Sequence, residues 1–136
     1  MTRIFADTSH WIAILNPRDP LRDKALALSR IHSHDQIVTT EIILTEFLNS
    51  FSNQGPFLRG AAGEFAQALR ENQNVIVIRQ TSEQFERALR RYREMADKSW
   101  SLTDCASFLL MEAEGIRAAL SSDHHFVQAG FEALLR

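Results

Sequence analysis

A chain of 136 residues has room for one ordinary domain but not for two, and its composition, 45% hydrophobic and 24% charged, suits a globular core. The formal net charge of −2 argues against a protein that grips nucleic acid over a broad basic face, and no apolar run is long enough to span a membrane. A single cysteine, Cys105, excludes an intramolecular disulfide, and the N-terminus lacks a signal-peptide core, so we expect residues 1–136 to form one cytoplasmic domain.

The first half of the chain alternates short apolar runs with amphipathic stretches. In chain order, residues 3–6 predict a strand, 10–16 a short helix, 21–32 a second helix, 36–39 a strand and 40–51 a third helix. In that third helix, Ile43, Phe47 and Phe51 recur every four residues and mark its apolar face. Gly55-Pro56 predicts a break, after which a further helix is expected over 57–71.

The second half continues the alternation. Residues 74–78 predict a buried strand, 82–96 a helix capped by Thr81, 102–114 a helix stopped by Gly115, 118–121 a strand, 124–129 a helical turn and 131–135 a last strand. Strands separated by helices predict the α/β class, with a central, mostly parallel sheet of four to five strands covered on both faces. In such sheets ligands gather beyond the carboxyl ends of the strands.

Four acidic residues stand at or near that edge. Asp7 follows the first strand and Asp123 follows the strand near residue 121, while Glu46 and Asp104 lie early in helices that begin there. Asp104 shares an apolar stripe with Phe108, so it points inward, where an unpaired charge is costly. No obvious lysine or arginine accompanies these acids, which leaves a divalent cation as the natural partner. Cations held in this way promote phosphodiester cleavage.

Each acid also has a structural interpretation. Asp7 suits a helix cap, Asp104 a first-turn acid favoured by the helix dipole, and Asp123 a turn residue. Only their joint pattern favours a metal site.

Four sequence blocks carry a family resemblance that covers nearly the whole chain. They are IFADTS at 4–9, TTEIILTEF at 39–47, SLTDCAS at 101–107 and SSDHHF at 121–126. With these blocks in this order, the chain resembles the PIN-domain ribonucleases, and among them the VapC-like toxins of bacterial type II toxin–antitoxin pairs.

The resemblance implies a PIN-like three-layer α/β/α fold and a metal-dependent endoribonuclease that uses Mg²⁺ or Mn²⁺. Its implied catalytic and metal-binding residues are Asp7, Glu46, Asp104 and Asp123. It further implies an RNA substrate, a protein antitoxin as partner and a homodimer, with no membrane association.

Three more residues enter through the same resemblance. Thr8 and Ser121 place hydroxyls where they would orient a carboxylate or a water. His125 stands where several relatives carry another acid, which predicts a weaker second metal position, a contact to RNA, or simply a surface histidine in a turn.

Three other features of the sequence each allow two interpretations. The basic residues between Arg79 and Lys98 alternate with acids, which favours a solvated helix face over an RNA-binding one. Trp100 is expected to pack in the core, with the cleft wall as the alternative. Five large apolar residues cluster around the break at Gly55-Pro56, and this apolar surplus forms either buried core or an exposed patch for a partner. Its members are Phe47, Leu48, Phe51, Phe57 and Leu58.

Two other functions compete with the nuclease. One is a PIN-like module that binds RNA or protein without effective catalysis, and the other is a phosphotransfer protein in which Asp7 is phosphorylated. The first would be expected to lose some of the four acids. The second lacks the accompanying acids and lysine that aspartyl-phosphate proteins use, since Ser9 stands where a phosphatase of that kind needs a second aspartate.

Overall fold

The computed structural model describes residues 2–136, and its centre is a five-stranded sheet. The strands are β1 (Arg3–Ala6), β2 (Gln36–Thr40), β3 (Val75–Ile78), β4 (Ala118–Leu120) and β5 (Glu132–Ala133). They lie in the order β3-β2-β1-β4-β5, and every pairing is parallel. Phe5 in the central strand pairs with Val38 on one side and Ala119 on the other. The predicted parallel sheet is confirmed.

Seven helices connect these strands within residues 2–136. They are α1 (Thr8–Leu15), α2 (Arg22–Ile31), α3 (Glu41–Ser50), α4 (Gly55–Glu71), α5 (Ser82–Glu94), α6 (Leu102–Glu114) and α7 (His124–Gln128). None of these helices is both long and apolar enough to cross a bilayer.

The direction of the connections divides the helices between the two faces of the sheet. From β1 the chain moves outward to β2 and then β3, and it later returns across the sheet to β4 and β5. Since crossovers between parallel strands are right-handed, α1 to α4 cover one face and α5 to α7 cover the other. Contacts among α1, α3 and α4, and between α5 and α6, agree with this division. The expected three-layer α/β/α architecture is therefore confirmed.

A core of aromatic side chains lies under the carboxyl edge of the sheet on the α6 side. Phe108 is fully buried, and its ring packs edge-on against Phe126 and Trp100, with ring centroids 4.9 and 5.0 Å away. Phe5 of the central strand lies against Phe126, with centroids 6.2 Å apart. This packing fixes α6 and α7 against the sheet and so positions their first turns.

The predicted ends of the elements lie within two residues of the observed ones, and two of the differences have a clear physical reason. Helix α4 begins at Gly55 with Pro56 in its first turn, so this dipeptide starts the helix instead of separating it from its predecessor. Proline is tolerated there because the first turn needs no donor from its nitrogen. The last strand is also shorter than predicted, covering Glu132–Ala133, because its only neighbour, β4, has three residues.

Candidate active site

The candidate site lies where the order of the strands reverses. The first connection leaves β1 on one side, whereas β4 lies on the other, and ligands of open parallel sheets bind at such a point. Asp7 directly follows β1, and its backbone N–H donates to the Leu120 carbonyl at the end of β4, at 3.1 Å. The two strand ends are therefore held side by side beneath the site.

Asp7 is a buried carboxylate, with 7% of the residue exposed. The Ser121 hydroxyl donates to its Oδ2 at 2.8 Å. Burial raises the pKa of Asp7 to about 6; hydrogen bonds from the Ser121 side chain and the Thr8 backbone oppose the rise, while the charges of Asp104 and Glu46 add to it. The negative charges of Asp104 and Glu46, two of the other three acids, therefore act on Asp7.

Glu46 enters the site from α3 and is partly buried. Its Oε1 accepts a hydrogen bond of 2.6 Å from the Thr8 hydroxyl, and Thr8 is the first residue of α1. The residue next to Asp7 in the sequence thus fixes a carboxylate that is 38 positions away.

Asp104 is buried in the first turn of α6, where a capping box fixes it. Its Oδ2 accepts from the Ser101 backbone N–H at 3.0 Å, and its own N–H donates to the Ser101 hydroxyl at 3.0 Å. Burial raises the pKa of Asp104, with repulsion from Asp123 adding to the rise and bonds from Ser101 and His125 opposing it. Asp104 therefore caps α6 and also lies among the acids of the site, so the two interpretations of this residue are compatible.

Asp123 caps α7, and its Oδ1 accepts from the His125 backbone N–H at 2.9 Å. The backbone N–H of Asp123 donates to the Ser121 hydroxyl at 3.0 Å. Because the same hydroxyl donates to Asp7, Ser121 links the two acids that follow β1 and β4.

His125 lies between two of the acids. Its Nδ1 is 3.0 Å from Asp104 Oδ2 and 3.2 Å from Asp123 Oδ1, and its side chain is 16% exposed. The interpretation as a surface histidine does not describe this position, because the ring bridges the acids of α6 and α7.

The four acids converge on one edge but do not form a tight quartet. No three of them offer oxygens that all lie within 4.8 Å of one another; in residues 2–136, the group that does so is Asp123, His124 and His125. Neighbouring acids interact along the edge instead: the charges of Asp104 and Glu46 raise the pKa of Asp7, and the charge of Asp123 raises the pKa of Asp104.

The donor set nevertheless fits a hard divalent cation. Within residues 2–136, the side-chain hydrogen bonds of each acid fall on one of its two oxygens. In the same part of the chain, none of the four forms an ion pair with lysine or arginine. Mg²⁺ commonly binds through one or two carboxylates and keeps several waters, so spaced carboxylates with one free oxygen each suit it.

Two residues beside the segment that carries Asp7, His10 and Thr39, were not predicted from the sequence. His10 is buried, its Nδ1 has no hydrogen-bond partner among residues 2–136, and burial lowers its pKa to about 4. The Thr39 hydroxyl donates to the Ala6 carbonyl at 2.9 Å and accepts from the Trp11 indole at 3.2 Å, so it supports the backbone just before Asp7. No local pattern identifies either residue, because both depend on contacts between distant segments.

The structure also decides between the two interpretations of Trp100, of the basic helix and of the apolar surplus. Trp100 is buried, and its indole N–H donates to the Gln128 side chain at 3.0 Å, in agreement with the packing role. On the basic helix, Arg87 pairs with Glu83, and Arg91 pairs with Glu112, which agrees with a solvated face. The apolar surplus is split: Phe47 and Phe51 are buried, Leu58 packs partly against the core, Leu48 is exposed and Phe57 is 84% exposed.

Comparison with known proteins adds two findings. A family model of the PIN domain matches residues 4–132. Among solved structures, the chain is similar to the crystal structure of VapC20 from Mycobacterium tuberculosis, described as a sarcin-ricin loop cleaving toxin. The two are 28% identical with a TM-score of 0.80, and the match covers 94% of this chain and 95% of that one. A search of curated proteins finds no match.

Proposed function

Because the chain belongs to the PIN-domain family, we propose that it is a divalent-metal-dependent endoribonuclease and the toxin of a toxin–antitoxin pair. Support comes from its likeness to VapC20, an RNA-cleaving toxin, over nearly the full length of both chains. The observation that carries the proposal is the convergence of Asp7, Glu46, Asp104 and Asp123 on one sheet edge, without a lysine or arginine paired to any of them in residues 2–136.

Mg²⁺ or Mn²⁺ would be held by these four carboxylates. A bound divalent ion supplies Lewis-acid chemistry, activating water and stabilising the charge that develops on the phosphate. Burial raises the pKa values of Asp7 and Asp104, and repulsion from neighbouring acids adds to the rise, so both carboxylates favour a cation over an empty, fully ionised site.

The surrounding side chains orient these acids. Ser121 holds one oxygen of Asp7 and Thr8 holds one oxygen of Glu46, so the second oxygen of each carboxylate stays available. For Asp104, His125 Nδ1 and the backbone N–H of Ser101 both contact Oδ2, so the other oxygen of this carboxylate stays available too. Groups that orient ligands in this way commonly change metal affinity or activity by about 10- to 100-fold when removed.

We propose RNA with an exposed loop as the substrate. The net charge of −2 provides no broad basic surface for duplex RNA, so binding depends on local contacts and on cations at the acidic edge. A sarcin-ricin loop oligonucleotide is the first substrate to test, since the similar VapC20 is described as cleaving that loop.

We further propose a protein antitoxin as partner and a homodimer as the assembled form. Phe57 near the start of α4 is 84% exposed and Leu48 of α3 is 38% exposed, which is the kind of apolar surface that a partner covers. Size-exclusion chromatography with light scattering tests the dimer, and co-purification with the product of a neighbouring small gene tests the antitoxin.

Neither competing function gains support from a specific contact. A phosphotransfer role for Asp7 requires an accessible carboxylate, whereas Asp7 is 7% exposed and hydrogen-bonded to Ser121. An inactive binding module would be expected to lose some of the acids, and this chain retains all four.

The proposal is tested by incubating tag-free protein with labelled sarcin-ricin loop RNA and with an unstructured RNA, with Mg²⁺, with Mn²⁺ or with chelator. We expect cleavage that requires the cation and is lost in Asp7→Asn and Asp104→Asn. Glu114→Gln, which alters an exposed acid far from the site, serves as the matched control and should cleave normally. Equal cleavage by all four proteins would indicate a contaminating nuclease, and no cleavage by any of them would favour the binding module.

A further inference from the structure

A compact group of metal-ligating side chains lies at one end of the acidic edge. Asp123, His124 and His125 each offer one ligand atom, and these three atoms all lie within 4.8 Å of one another. The His124 side chain is 57% exposed, and that of Asp123 is 33% exposed, so an ion can reach the group from solvent. The two imidazole rings lie side by side, with centroids 4.3 Å apart.

The spacing of these atoms matches the ligand shell of a small cation. Nδ1 of His124 is 3.6 Å from Asp123 Oδ1, and Nδ1 of His125 is 3.2 Å from the same oxygen. Zinc bonds to nitrogen and oxygen place neighbouring tetrahedral ligands about 3.4 Å apart. His125 Nδ1 also lies 3.0 Å from Asp104 Oδ2, and an ion bound by this nitrogen would replace that contact. Small rotations of the side chains would then bring the three ligand atoms around the ion.

The chemistry of the group differs from that of the other acids. Asp7 and Glu46 offer only oxygen, which suits Mg²⁺ and Mn²⁺, whereas two imidazoles and one carboxylate suit Zn²⁺ and similar transition ions. Three protein ligands would also leave a coordination position open to solvent. The backbone N–H groups of the short helix α7 have no part in this coordination, which depends on side chains alone.

We propose that Asp123, His124 and His125 form a binding site for a transition ion of the Zn²⁺ class. Because Asp123 is also one of the four acids of the edge, an ion bound here competes with the Mg²⁺ or Mn²⁺ site for that carboxylate. The Zn²⁺ site itself does not depend on ribonuclease activity, so its binding is measured without RNA.

The test uses tag-free protein titrated with Co²⁺ as a visible probe and then with Zn²⁺ as competitor. For the wild type we expect the intense visible bands of four- or five-coordinate Co²⁺, which Zn²⁺ abolishes. His124→Ala should weaken Zn²⁺ binding by more than about tenfold, since loss of a supporting contact alone has that cost. His34→Ala replaces an exposed histidine outside the group and should bind as the wild type does.

Folding of each variant is checked by circular dichroism and thermal unfolding, and the exposure of His124 makes a folding defect in His124→Ala unexpected. Unchanged Zn²⁺ affinity in this variant, or a Co²⁺ spectrum of the hydrated ion in the wild type, would overturn the proposal. A protein that binds Zn²⁺ as expected but cleaves no RNA would contradict the proposed function and leave this site standing.

Discussion

At the scale of single residues, the Ser121 hydroxyl connects the two halves of the acidic edge. It donates to Asp7 and accepts from the backbone N–H of Asp123, and the residue is completely buried. Ser121→Ala should lower metal-dependent RNA cleavage by about 10- to 100-fold, as is common for residues that orient metal ligands.

A buried serine on a neighbouring element provides the control for Ser121. Ser107 in α6 is also buried, but its hydroxyl has no hydrogen-bond partner among residues 2–136. Ser107→Ala should therefore leave the cleavage rate unchanged. Equal losses in the two variants would show that Ser121 acts only through packing.

When no cation is bound, ionised Asp7 is expected to destabilise the folded protein. Its pKa is about 6 in the folded protein, against an ordinary value of 3.8 for an aspartate in an unfolded chain, so the folded state holds the proton more tightly and ionisation disfavours folding. In chelator at neutral pH, Asp7→Asn should raise the free energy of unfolding by up to about 3 kcal/mol. This gain is fully present above about pH 6 and disappears as the pH falls to 3.8. Urea unfolding at several pH values measures it, and a gain that does not depend on pH would contradict the assignment.

His10 should produce the opposite pH dependence. Burial lowers its pKa from 6.5 to about 4, so the unfolded chain binds a proton in this range while the folded protein does not. Its contribution to stability is therefore lost as the pH falls from 6.5 to about 4, by up to about 3 kcal/mol. His10→Gln should flatten this loss in the same urea titrations, and a parallel curve for variant and wild type would refute it.

The residues of the site differ in how far the sequence could predict them. Asp7 and Asp123 follow strands, and Asp104 lies on an apolar stripe, so patterning pointed to all three. The bridging position of His125 and the burial of His10 depend on tertiary contacts of α6, α7 and the sheet, which local patterns do not encode.

At the scale of elements, two helices of the α5–α7 layer begin with capping boxes. Ser101 and Asp104 form the box of α6 at the site, while Thr81 and Gln84 form that of α5, a helix that carries none of the four acids. Each box satisfies backbone donors that the first turn leaves free.

The two caps make a matched pair for mutation. Ser101→Ala and Thr81→Ala should each lower the free energy of unfolding by about 1 kcal/mol, the usual value of such a cap. Only Ser101→Ala should also slow RNA cleavage, because it loosens the turn that carries Asp104. Chemical denaturation and the cleavage assay separate the two effects, and equal cleavage by both variants would contradict a positioning role for the α6 cap.

Elements with strong periodicity or clear end signals could be predicted from the sequence, whereas the start of α4 and the extent of β5 could not. Gly115 adopts a φ of 67° and ends α6 where the sequence predicted, since glycine tolerates this left-handed conformation. Gly55-Pro56 has the same kind of signal but starts α4, because the dipeptide alone does not reveal on which side of it the helix lies. The extent of β5 is set by the length of its neighbour β4, which no pattern within residues 131–135 contains.

At the scale of the whole molecule, the order of the strands creates the site. Alternating strands and helices predicted a parallel sheet, but the same alternation is compatible with several strand orders. In the order β3-β2-β1-β4-β5, β1 and β4 are neighbours, which brings Asp7 beside Ser121 and Asp123 although 114 positions separate Asp7 from Ser121. The family resemblance, more than the periodicity, made this arrangement predictable.

We propose that oxygens of acids from distant parts of the chain share a divalent cation at this edge. The most direct measurement is a crystal structure of the tag-free protein soaked in Mn²⁺, with the ion located by its anomalous scattering. We expect an anomalous peak beyond the ends of β1 and β4, from an ion bound by oxygens of at least two of Asp7, Glu46, Asp104 and Asp123. A well-ordered edge with no peak there, or carboxylates that are neutralised by lysine or arginine instead, would contradict it.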